Sequence, residues 1–294
     1  MKQSSWRWYD IPIVGILWLI GGIITLVPQV WVVHMGRILG DALCLIGYRR
    51  HIIEDNLRCA GFGGSSSLVR ANYRHYATYL VEIFRLRRLR RSEWIRQNIR
   101  FHGLNHFIDA RKRNKGVLVL TAHLGNYDIL ACAGAAVGWP LSIVSKPVGL
   151  RSVEWIWMQQ RGDSGLNILP NQGSLRDILS VIRNNEILGF ILDQHARNGV
   201  VVPFFDRPAK TLDSLAILAE RTKAPVLQVF TYRDNAGKHH VDISPAMAPS
   251  AHLNRKDRVI DMTRSYTLAI ENAIRRHPDQ WTWAHRRWKV DTAN

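Results

Sequence analysis

The sequence is poor in cysteine, in acidic residues and in long apolar runs. Its three cysteines, Cys44, Cys59 and Cys132, are odd in number and widely spaced, with no C-x-x-C among them. Neither a disulfide framework nor a zinc site is expected, and a reducing compartment fits. Asp and Glu total 23 against 40 Lys and Arg, for a net charge of +17. That imbalance favours anionic partners: a phospholipid surface, a nucleic acid or an acidic protein. No zinc-finger spacing, RNA-binding sheet motif or basic-plus-heptad pattern accompanies the charge, so nucleic acid is set aside. No G-x-S-x-G elbow is present, which argues against a covalent acyl-enzyme on serine. The mean hydropathy of -0.12 excludes a protein with many membrane spans.

The one long apolar run is IPIVGILWLIGGIITLVPQVWVV, Ile11 to Val33, which carries no charge. Its length matches the ~20 apolar residues needed to cross a bilayer core. Lys2 and Arg7 precede it, Trp6, Trp8, Tyr9 and Trp31 flank it, and no A-x-A-like cleavage site follows directly. An uncleaved anchoring helix is expected, with residues 1–36 as the anchor and 37–294 as the soluble domain. Pro28 and the pair Gly21-Gly22 weaken a straight span and leave open a helix that dips into one leaflet. A second candidate membrane or carrier contact is the basic amphipathic stretch FRLRRLRRSEWIRQNIR, Phe84 to Arg100.

The region from Trp31 to His106 reads as helices, broken at the Gly/Ser-rich segment 61–67. Beyond it, short apolar runs alternate with helical patterns. Strands are expected at 117–121, 141–145, 167–169, 187–192, 225–232 and 240–244, with helices at 126–137, 152–160, 174–184, 212–223 and 255–276. Such alternation predicts an α/β fold, a mixed and largely parallel sheet flanked by helices. Functional groups in such folds gather at strand C-terminal ends. The loops after Leu120 and after Leu192 are therefore nominated.

The turn VLVLTAHLGNYD, Val117 to Asp128, delivers His123 just past an apolar strand and Asp128 into the helix that follows. A local bend is expected to bring the Asp128 carboxylate to one imidazole nitrogen and leave the other for a substrate hydroxyl, as a general base requires. Backbone N–H groups at the helix start suit an oxyanion. An isolated H-x-x-x-x-D is a weak signal by itself, and a buried structural hydrogen bond is its bland alternative.

Further segments in order carry a resemblance: Asn56-Leu-Arg58, His123-Leu-Gly-Asn-Tyr-Asp128, Ser145-Lys-Pro147, Arg161-Gly162, Asp193-Gln194, Val202-Pro-Phe-Phe205 with Ala209-Lys-Thr211, and Pro278-Asp-Gln-Trp-Thr-Trp-Ala-His-Arg-Arg-Trp-Lys289. Together they resemble the late acyltransferases of lipid A biosynthesis, the lauroyl/myristoyl transferase family, within the wider glycerolipid acyltransferase-like group. The resemblance implies transfer of a fatty acyl chain from acyl carrier protein, or from acyl-coenzyme A, to a hydroxyl of a glycolipid at the cytoplasmic face of a bacterial inner membrane. It implies His123 as general base with Asp128 as its acid, Arg161 and Asp193 in substrate or oxyanion support, and Lys146 and Asn126 as phosphate or turn contacts. No metal and no bound cofactor are implied. Two departures bear on the acceptor: Asp128 stands where the lipid A enzymes typically have Glu, and the loop Asp193-Gln-His-Ala-Arg-Asn-Gly199 carries His195 and Arg197. A lysophospholipid, an aminolipid or a membrane pigment is the competing acceptor. A non-catalytic basic membrane scaffold is the competing class.

Overall fold

The apolar N-terminal run folds as two helices, where one was expected. In this computed structural model, which describes residues 7–145, 150–170, 175–251 and 254–289, Val27 is extended at the end of α1 (Asp10–Leu26), and Pro28 opens α2 (Gln29–Ile46). Proline disfavours helical backbone at the residue before it and suits a helix start, so the break falls where the sequence puts the ring. The expected boundary after residue 36 lies inside α2. That helix packs on α4 (Ser66–Ile83), which follows α3 (Arg50–Cys59). A Cβ at Gly36 would lie 2.3 Å from Thr78 Oγ1, and one at Gly40 2.3 Å from Arg74 Cα. Glycine at both positions is what lets the two helices approach.

The basic stretch from Phe84 divides into a 3₁₀ turn (Leu86–Arg90), α5 (Ser92–Asn98) and β1 (Ile99–His102). It is no single solvated helix face: Arg85 is buried, and Arg90 pairs with Asp163 at 2.9 Å. α6 (Leu104–Arg111) leads into the alternating core of β2 (Val117–Thr121), α7 (Tyr127–Ala136), β3 (Leu141–Ser145), α8 (Arg151–Asp163), β4 (Asn167–Pro170), α9 (Leu175–Arg183) and β5 (Ile187–Ile191). A hairpin of β6 (Val200–Phe204) and β7 (Arg207–Thr211) follows, then α10 (Ser214–Thr222), β8 (Val226–Arg233), β9 (His239–Ala246) and α11 (Arg255–Arg276).

Seven strands form one sheet in the order β1-β9-β8-β2-β5-β3-β4. Every pair is parallel except β8 with β9. The fold is α/β with a mixed, largely parallel sheet between helices, as the alternating pattern predicts. Successive residues of β2 serve opposite faces: Leu118 and Leu120 join a core with α10 and α11, and Val117 joins one with α7 and α8. Five strands and five helices fall where the sequence puts them, within a few residues at their ends, as does β9. β1 and the β6–β7 hairpin were not expected. The hairpin turns through Phe205 and Asp206 with φ of 50° and 58°, a left-handed conformation that sequence propensity assigns to Gly or Asn and disfavours for Phe.

Candidate active site

The register of β2 on β5 places the site. Thr121 lies opposite Ile191, and two residues beyond each strand end stand His123 and Asp193. Asp193 Oδ1 meets His123 Nδ1 at 2.7 Å. Its Oδ2 accepts the His123 backbone N–H at 2.7 Å and the Trp281 indole N–H at 2.6 Å. Burial alone would raise the Asp193 pKa, but the charge and hydrogen bonds of His123, with the Trp281 donor, outweigh it and hold the carboxyl at about 2. Burial also disfavours the imidazolium, yet the Asp193 carboxylate prevails and lifts the His123 pKa above its ordinary value. With the carboxylate on Nδ1, that nitrogen carries the proton and Nε2 is the acceptor. Nε2 lies 3.4 Å from the Gln194 amide.

The turn between His123 and α7 is fixed by backbone pairing. Gly125 has φ of +61°, and a Cβ there would lie 2.2 Å from the Thr231 carbonyl oxygen. Its N–H donates to Gln280 O at 3.0 Å, and Thr282 N–H donates to His123 O at 3.1 Å. Asn126 caps α7, its Oδ1 accepting the Ile129 N–H at 3.0 Å and its Nδ2 donating to Glu82 Oε2 at 2.9 Å. Both ends of this amide are engaged in a fully buried setting.

Asp128 takes its partners elsewhere than on His123. Its Oδ1 accepts from Arg161 Nε at 2.7 Å and Nη2 at 2.6 Å, and its Oδ2 accepts from the Tyr79 hydroxyl at 2.7 Å. The Tyr79 and Tyr127 hydroxyls are 2.6 Å apart. Since Tyr79 spends its proton on the carboxylate, Tyr127 donates to Tyr79. Burial and the neighbouring Asp128 charge push both phenols up. Arg161 is disfavoured by burial, but Asp128 more than compensates and raises it. Its guanidinium sits over the Trp157 ring, 4.1 Å from the centroid, and its Nη1 donates to Ser145 Oγ at 3.2 Å.

A cavity of about 1770 Å³ opens at this constellation. His123, Tyr127, Asp128, Arg161 and Gln194 line its polar part. Exposed Arg49, His51, Arg197, Arg286 and Lys289 stand on its solvent side. Apolar side chains continue it between the sheet and α7: Val119, Leu130, Ala131, Leu141, Ile143, Ile187 and Val241, as far as Phe107 and Trp139, whose rings stack at 4.2 Å. The strand Ile187–Ile191 alone gives it a depth of roughly 13 Å at ~3.3 Å per residue. A polar, base-bearing end joined to a long apolar channel suits a reagent with one reactive carbonyl and one hydrocarbon tail.

The sequence profile of the family "Bacterial lipid A biosynthesis acyltransferase" matches residues 2–290. The chain belongs to this family. Among similar curated proteins, the lipid A biosynthesis acyltransferase of Haemophilus influenzae is 26% identical over 198 residues, covering 66% of this chain and 60% of that protein. The lipid A biosynthesis palmitoleoyltransferase of Escherichia coli K12 is 26% identical over 204 residues, 64% of this chain and 60% of the relative. The lipid A biosynthesis myristoyltransferase of the same strain is 23% identical, covering 66% and 60%. The chain thus spans about 60% of the length of the curated relatives it matches.

The family member's site corrects the expected pairing. His123 and Asp128 share the cavity, but the imidazole's carboxylate partner is Asp193, expected only as substrate support. The reason is that a helix begins at Tyr127, turning Asp128 toward α4 and α8, and the β2–β5 register supplies a carboxylate directly opposite His123. Arg161, expected in substrate or oxyanion support, lies in the cavity wall. Asn126 is a helix cap with no face on the cavity, and so fits the turn role and not substrate contact. Lys146 lies outside the described residues. Val202, Phe204 and Phe205 are core residues away from the cavity, so this segment is scaffold. Tyr79, Glu82 and Trp281 carry roles the sequence did not assign. Trp281 had a usable signal in its aromatic cluster, but Tyr79 and Glu82 take their site partners, Tyr127, Asp128, Asn126 and Arg233, from far along the chain.

Proposed function

We propose that the protein transfers a fatty acyl chain from an acyl thioester, with acyl carrier protein as the preferred donor and coenzyme A the other, to a hydroxyl of a lipid A precursor or related glycolipid. The observation that carries this reading is the His123–Asp193 pair at the polar end of an apolar channel, in a chain of this family. His123 Nε2 takes the acceptor's proton as its oxygen attacks the thioester carbon. The tetrahedral oxyanion forms near the Arg161 guanidinium, which its two hydrogen bonds to Asp128 Oδ1 and the Trp157 ring hold rigid. The C–S bond then breaks, and the thiolate leaves with the proton from Nε2. Asp193 fixes the tautomer and stabilises the imidazolium. Asp128 belongs to the site through Arg161 and the Tyr79–Tyr127 pair. The apolar channel takes the acyl chain, each buried methylene contributing ~0.8 kcal/mol.

The charge of +17 supports an acidic carrier protein and an anionic membrane surface as partners. The bacterial inner membrane, with the catalytic domain on its cytoplasmic side, fits both a lipid acceptor and a thioester donor. Mass spectrometry of lipid A from a strain lacking the gene, complemented with wild type or His123→Ala, tests the reading. Wild type should restore the missing acyl chain, and the variant should fall short by ~10²–10⁴ in rate. Unchanged lipid A acylation on deletion, or full complementation by His123→Ala, would sink it.

A further inference from the structure

We infer that the N-terminal helix lies in the plane of the bilayer, immersed in one leaflet along α8, and does not cross; this rests on the membrane reading proposed above. Among the described residues α2 is long and apolar enough to cross a membrane and α1 is a shorter apolar helix, but the body of the protein holds both helices at several points along their length. At its start, α1 is tied by buried Asp10, whose Oδ1 accepts from Ser152 Oγ of α8 at 2.7 Å. At its middle, the Arg87 guanidinium covers the Trp18 ring at 3.8 Å. At its end, Gly21 packs on Phe84 and Ile24 is buried. The corner between the helices is held by Arg85, which donates to Val27 O and Gln29 Oε1, both at 2.8 Å. Gln29 in turn donates to Glu82 Oε1 at 3.1 Å.

A spanning α1 would carry this bed with it. α8 bears Arg151, Glu154, Arg161 and Asp163, and the neighbouring turn bears Arg87, Arg88 and Arg90, which would all enter hydrocarbon at several kcal/mol each. The same holds for α2, the helix long and apolar enough to cross. Its Asp41 accepts paired bonds from Arg70 and Arg74 of α4 at 2.7–2.8 Å. The opposite face of α1 is bare: Ile16, Leu19, Ile23 and Leu26 form one outward stripe, with Leu26 81% exposed. Leu150 and Val153, either side of the Ser152 that bonds Asp10, are exposed too. An apolar stripe on a strongly basic body matches an anionic lipid surface, entered to ~5–10 Å. α8 then separates lipid from cavity, since its Trp157 and Arg161 line the cavity on its other side.

Spin labels on single cysteines at Ile16, Leu19, Ile23 and Leu26 test this in the full-length chain. Cys44 and Cys59 are replaced by Ser and buried Cys132 is retained. Depth is read by power saturation in phosphatidylethanolamine–phosphatidylglycerol vesicles. The in-plane helix gives four depths within a few ångströms of one another and none near the bilayer centre. A steady progression totalling roughly 15 Å, the rise of ten helical residues, overturns the inference and leaves the membrane reading standing. Absence of vesicle binding overturns both.

Discussion

Three donors converge on Asp193 from two distant parts of the chain: the ring and the backbone N–H of His123, and the Trp281 indole. The carboxylate is therefore held ionised and in one orientation, and it makes the imidazolium easier to form. The base form of His123 exists above its pKa, which the carboxylate raises, so kcat/KM should climb with pH through a midpoint above the ordinary value of ~6.5. Asp193→Asn removes the charge. The midpoint should move to lower pH, and the plateau should fall by ~10²–10⁴, because an amide no longer enforces the Nδ1–H tautomer. A pH–rate profile of the two proteins checks both signs. A plateau unchanged within threefold would remove Asp193 from the mechanism.

At the scale of elements, the channel is bounded by β3, β5 and α7, and its bore depends on small residues. Gly189 of β5 faces it, where a Cβ would lie 3.3 Å from Ile143 Cγ2. Gly189→Val should shorten the preferred acyl chain. Two fewer buried methylenes, about 1.6 kcal/mol, lower kcat/KM for the longer donor roughly tenfold, with shorter donors spared. Competition between acyl donors of different length reads this directly. The other element-level device is the buried ion pair of Glu82 on α4 with Arg233 on β8, which also holds the Asn126 cap of α7. Burial opposes the Glu82 charge, yet Arg233 and His239 keep its pKa well below the ordinary value. Arg233→Ala leaves that carboxylate buried without its guanidinium partner, and should cost about 3–5 kcal/mol in denaturant unfolding.

For the molecule as a whole, charge and apolar surface act together on a lipid bilayer under the proposed membrane reading. Binding to vesicles containing phosphatidylglycerol should weaken as salt rises from about 0.1 to 1 M, because the screening length falls from ~10 to ~3 Å. A residual, salt-insensitive part should persist through the outward stripe of α1. Flotation assays across that range measure it, and complete release at high salt would assign binding to charge alone.

Periodicity made most of the architecture legible. Alternating apolar strands and amphipathic helices set the largely parallel sheet, and the strand-end rule nominated the two loops that hold His123 and Asp193. The Val27–Pro28 break is likewise local chemistry. The pairing of His123 with Asp193 required knowing that β5 lies beside β2 in a given register, a contact across 70 residues. Asp128, five residues away in sequence, looked nearer. Only the fold shows that helix α7 turns its carboxylate to Arg161 and Tyr79. Tertiary structure also bears on the N-terminal run: composition made it apolar enough to span, whereas buried Asp10 and Arg85, with partly exposed Asp41, tie its two helices to the body. Local sequence determines which segments are strands, helices and apolar surfaces. Which ionisable groups meet is set by long-range packing, because buried charges take the partners the core leaves within reach.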